Sequence, residues 1–103
     1  MKFVLAYTWR DGGSAAEREQ TMKRSMQLLG KFSPSDPTQI KEWVDRVDGE
    51  GGFALLESDD PISMMRDIAI WIPMLRFELH PVVDIGDAMP AQQEALDFLD
   101  SVS

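Results

Sequence analysis

Four strand-like segments of this chain divide into two kinds, and that division constrains the fold more than any other feature. Phe3–Trp9 and Phe53–Leu56 are apolar on both faces, whereas Gln39–Val47 and Leu75–Val83 are apolar largely on one face and charged on the other. A strand that is apolar on both sides is covered on both sides; alternation marks a strand with one wet face. Helix-like stretches follow the first and third strands, so the order reads β-α-β-β-α-β with the first and third strands as the central pair. Right-handed crossovers and a Gly-rich hairpin then predict an α+β fold: an antiparallel sheet in the order 4-1-3-2, with both main helices on one face. Two helices cover only one face of such a sheet. The apolar second face needs another cover, and a second copy of the chain is the simplest one, giving a homodimer through the sheet faces.

Local signals place the elements. Ser14-Ala15-Ala16-Glu17 has the capping-box spacing of a helix start. Met22, Met26 and Leu29 then form the expected buried stripe, with Gly30 near the stop. The second strand alternates Ile40, Glu42 and Val44 against Lys41, Trp43 and Asp45, and Asp48-Gly49-Glu50-Gly51-Gly52 reads as a short hairpin loop. Asp60 can cap a second helix with Pro61 at its first position. Its inward residues are expected to be Ile62, Met65, Ile68, Ala69 and Trp71. In the fourth strand Leu75, Phe77 and Leu79 share one face, Arg76, Glu78 and His80 the other, and Pro81 favours an edge. Beyond Gly86, a short terminal helix is expected to pack Leu96, Phe98 and Leu99 on the body or on a neighbouring subunit. The organisation is one α+β domain over residues 1–86 with a helical extension over 87–103.

Composition excludes several classes. The 103 residues contain no cysteine and one histidine, which removes disulfides, thiol nucleophiles, cysteine-ligated metals and any multi-histidine site within one chain. The formal net charge of −8 argues against nucleic acid or an anionic membrane as partner. No apolar run approaches the roughly 20 residues of a membrane span. Met1-Lys2-Phe3 leads directly into a strand pattern, so the cytoplasm is the expected address.

Trp43-Val44, the Gly-rich hairpin, Glu57-Ser58-Asp59-Asp60-Pro61, Trp71 and Phe77-Glu78-Leu79 leading to Pro81-Val82-Val83 resemble a bacterial family of unknown function. Its members are small, ferredoxin-like and grouped with the dimeric α+β barrels. The resemblance covers roughly Lys2 to Asp84, without the C-terminal helix. It implies a fold and dimerisation and no reaction, so it assigns no catalytic residue.

Candidate chemistry rests on few residues. His80 could act as a general base oriented by Glu78, or as an axial haem ligand; a lone histidine without a partner motif favours a structural role. Tyr7 and Trp9 share a parity on a central strand and could line a cavity, with His80 and Arg76 or Glu78 near its rim or a subunit boundary. Trp43 fits a dimer anchor equally well, and Trp71 fits the core. The methionines at helical spacing are read as core packing. Asp59-Asp60 is a helix cap rather than a metal site, and no metal or cofactor is implied. Two functional classes result. One is a small dimeric protein holding a hydrophobic or aromatic organic molecule, with catalysis undecided. The other is a non-catalytic dimeric interaction or accessory module without a small ligand.

Overall fold

The computed structural model describes residues 1–103. Its elements are β1 (Lys2–Trp9), α1 (Ala15–Leu29), a 3₁₀ turn (Pro37–Gln39), β2 (Ile40–Asp45), β3 (Gly51–Glu57), α2 (Pro61–Trp71), β4 (Leu75–Val82) and α3 (Ile85–Val102). All pairings are antiparallel and the order is β2-β3-β1-β4, a ferredoxin-like topology. The doubly apolar strands are thus the central pair, with one face packed under the helices and the other open.

Register decides which side chains share a face. Tyr7 lies opposite Gly52 on one side and Phe77 on the other, and Gly52 lies opposite Asp45. One face of the sheet therefore carries Phe3, Leu5, Tyr7, Ala54, Leu56, Leu75 and Phe77, and the core sits there. Leu5, Ala54 and Leu56 pack with Met64 of α2; Tyr7 and Leu75 pack with Trp71 and Met74, and Leu28 of α1 joins them.

Several expectations are corrected. The inward stripe of α2 is Met64, Ile68 and Trp71, while Ile62 and Met65 are 74% and 67% exposed. The apolar pattern alone allowed either phase; the sheet selects the one that puts Met64 over Leu5 and Leu56. In α1 the buried residue is Ser25, and Met22 and Met26 are 52% and 69% exposed, because the helix stands off the sheet and leaves a cleft beneath it. Its cap also differs in detail. The Glu17 N–H donates to Ser14 Oγ at 3.1 Å, but the Glu17 carboxylate accepts from the Gly12 N–H and the Ser14 hydroxyl rather than from the Ser14 backbone. In β2 a bulge between Ile40 and Glu42 breaks the alternation, so Ile40 and Trp43 face the core together. Gly51 and Gly52 belong to β3, not to the loop. The hairpin turns instead at Gly49, whose φ of 74° suits glycine.

α3 departs most from expectation. It runs for 18 residues from Ile85, includes Pro90, and buries none of its side chains. At 1.5 Å per residue it is about 27 Å long. It projects from the body, giving extents of 59 × 31 × 21 Å and a radius of gyration of 18.1 Å, against about 13 Å for a compact chain of this length. Leu96, Phe98 and Leu99 therefore do not pack on their own subunit. No helix is long and apolar enough to cross a membrane.

Candidate ligand cleft

The cleft beneath α1 has a volume of about 400 Å³, within the range of small-molecule sites. Tyr7 and Trp9 of β1, Trp43 and Asp45 of β2 and Trp71 of α2 form its aromatic floor, and Met22, Met26 and Leu29 of α1 overhang it. A separate cavity of about 60 Å³ lies between α2 and the sheet. It is too small for an organic ring and reads as an imperfectly filled core.

The floor is organised by hydrogen bonds. Tyr7 Oη donates to Asp45 Oδ1 at 2.8 Å and accepts from Trp43 Nε1 at 2.8 Å. These groups sit on β1 and β2, with β3 between them, and Tyr7 must cross that strand. Gly52 makes the crossing possible: a Cβ there would stand 2.3 Å from Tyr7 Oη and 2.5 Å from its Cζ. Burial first, and then the hydrogen bond to Asp45, push the Tyr7 phenol well above its ordinary value. It is thus a fixed neutral hydroxyl at physiological pH, suited to orienting a ligand rather than to proton abstraction.

Trp43 and Trp71 meet edge to face at 5.9 Å, and Phe32 closes the group against both at 6.2 and 5.5 Å, the geometry that aromatic quadrupoles favour. The Trp71 Nε1–H is buried without a hydrogen-bond acceptor; its rings' edge-on neighbours are its company. At the other end Trp9 Nε1 donates to the Gly49 carbonyl at 2.6 Å, and the Arg18 guanidinium lies 5.6 Å from the Trp9 ring centroid. Arg18 is itself anchored by Asp11 at 2.7 Å and by Glu50 at 3.5 Å.

The residues singled out from sequence fall into two groups. Tyr7 and Trp9 both line the cleft. Arg76, Glu78 and His80 lie opposite Thr8, Ala6 and Val4 in register, which puts them on the other face of the sheet. There His80 Nε2 is 3.4 Å from Glu78 Oε2, and both side chains are exposed. The geometry does not bring His80 to Tyr7. Trp43 joins the cleft wall, and Asp45 is a residue that sequence reasoning missed. Its signal was the row Tyr7–Gly52–Asp45, legible once the glycines are counted as strand rather than loop. No group of three or more His, Cys, Asp or Glu side chains is placed to hold a metal ion.

Comparison with the curated proteins gives no match. A family model for a domain of unknown function, DUF3303, matches residues 1–96, which takes in the first two-thirds of α3 as well as the sheet domain and so extends past the Asp84 limit read from sequence. The chain belongs to the DUF3303 family.

Proposed function

We propose that this protein binds a hydrophobic, aromatic small molecule in the cleft between α1 and the sheet, and does so as a homodimer. The observation that carries the reading is the cleft itself. Its floor of Tyr7, Trp9, Trp43 and Trp71 is pre-ordered by the Tyr7–Asp45–Trp43 hydrogen bonds, and pre-ordered aromatic surface binds flat molecules at low entropic cost.

The second copy is argued from uncovered surface. On the open face Phe53 pairs across the strands with Ala6 and Val44, and Leu55 pairs with Val4. Phe53 and Val44 are 46% and 52% exposed. The chain's accessible surface is 7501 Å², against roughly 5,800 Å² for a compact monomer of its mass. The excess is shared between the projecting α3 and the open face, and a standard interface buries ~800 Å² on each partner.

The second reading, an interaction module without a small ligand, draws on α3. Its Ile85, Met89, Leu96 and Leu99 form an exposed apolar stripe, and its only charges, Asp87, Glu94, Asp97 and Asp100, are acidic. Such a helix suits an apolar, basic groove on a partner.

Native mass spectrometry of the protein purified from its own host tests both. The ligand reading expects a species at twice 11.6 kDa carrying an added small-molecule mass. A dimer with no added mass favours the interaction module, and a bare monomer contradicts the proposal.

A further inference from the structure

We infer that the cleft selects a ligand bearing a positive charge, an aromatic or arylalkyl amine, with the cation placed at Asp45 beside the Trp43 and Tyr7 side chains. This rests on the reading of the cleft as a ligand site and adds the ligand's charge.

Asp45 is the only ionisable carboxylate or base in the wall; the other polar groups there are the Tyr7 hydroxyl, Ser25 and the indole N–H groups of Trp9, Trp43 and Trp71. The Tyr7 hydroxyl has spent its one proton on Asp45 Oδ1, and the Ser25 hydroxyl is turned to Met74 Sδ at 3.5 Å. The Trp43 N–H is likewise engaged by Tyr7 and the Trp9 N–H by the Gly49 carbonyl, while the Trp71 N–H is buried. The wall therefore offers an incoming molecule hydrogen-bond acceptance, and almost no donation. Tyr7 occupies one carboxylate oxygen of Asp45, and the second, Oδ2, accepts from no side chain. The one unengaged donor, the Trp71 N–H, is buried, so a neutral carbonyl would find little donation here, and a carboxylate would in addition meet the like charge of Asp45. An ammonium would find a carboxylate oxygen beside aromatic side chains, the pairing that recognises organic cations.

The nearby basic side chains do not supply that cation. Arg46 is paired with Asp48 at 2.5 Å, and Arg18 with Asp11 and Glu50. Arg18 lies over the Trp9 end of the floor, which leaves the Trp43–Tyr7–Asp45 end for the ligand's charge. The net charge of −8 favours cation approach from a distance.

Three probes with one ring separate the possibilities: indole (neutral), tryptamine (cationic) and indole-3-acetate (anionic). Binding is read from shifts of the protein's own ¹⁵N-labelled tryptophan indole signals, which the unlabelled probes leave uncluttered. Tryptamine should bind at least about tenfold more tightly than indole, the scale of a cation–π contact joined to a carboxylate, and indole-3-acetate most weakly. Asp45→Asn keeps an acceptor for Tyr7 and removes the charge, so it should bring tryptamine to the level of indole. Indole binding as tightly as tryptamine, or a tryptamine preference that survives Asp45→Asn, overturns the assignment of charge while sparing the aromatic cleft. No shift with any of the three probes overturns the ligand site itself, and this inference with it.

Discussion

Tyr7 crosses the sheet over Gly52: the two are register partners on adjacent strands, and a Cβ on Gly52 would stand 2.3 Å from the Tyr7 hydroxyl oxygen. One missing side chain thus allows a residue of β1 to reach Asp45 on β2 and to order the floor of the cleft. Gly52→Ala should displace the Tyr7 ring or push the strands apart, at a cost of about 2 kcal/mol, within the range for overpacking. Urea denaturation measures the cost. A variant as stable as the parent would show that the crossing is not constrained.

Tyr7 is the only tyrosine, so ultraviolet difference titration reports it alone. Its phenol should resist ionisation well beyond the ordinary value near 10. Because the folded value is raised above the unfolded one, this group's stabilisation is complete below about pH 10 and is lost as pH rises towards the folded value. Tyr7→Phe should flatten the alkaline fall in stability, which thermal melts at stepped pH will show.

The acid limb has the opposite sign. The hydrogen bond from Arg18 holds the Asp11 carboxyl below its usual range, and the Glu50 backbone N–H does the same for Asp48. Their contribution is present above the ordinary carboxylate value and is lost as pH falls through the depressed folded values. Asp11→Asn should shift acid unfolding to a smaller pH dependence in denaturant melts between about pH 5 and pH 2.

Strand order was legible because each strand declared how many of its faces are apolar. The faces of different strands could not be matched so easily. Parity puts Arg76, Glu78 and His80 together within β4, but only register shows that His80 stands beside Val4 rather than Tyr7. Asp45 and Trp43 were obscured for a related reason: the bulge near Lys41 inverts the parity of β2, and nothing in the alternation announces it. Helix phase failed where the apolar pattern was broad. Ile62 and Met65 are as apolar as Met64, and the choice between them belongs to the sheet beneath.

Core packing predicts a graded response in α2. Met64, 6% exposed between Leu5 and Leu56, should lose about 2–4 kcal/mol as Met64→Ala. Met65→Ala, at a 67% exposed position, should stay within about 0.5 kcal/mol. Equal losses at the two positions, compared by chemical denaturation, would contradict the assigned phase.

The open face gives a prediction about assembly. Phe53→Lys places a charge beside Ala6 and Val44 without touching the core. Sedimentation should then report a folded monomer that melts below the parent, because association no longer adds to its stability. A variant that remains dimeric would remove this face from the interface.

A crystallographic screen with a library of small aromatic fragments tests the ligand cleft most directly, because it reports where molecules bind without assuming which. The account predicts that bound fragments concentrate between Tyr7, Trp43 and Met22, with their amino-bearing members closest to Asp45. Fragments scattered over the surface, or gathered on the open sheet face while the cleft stays empty, would contradict it.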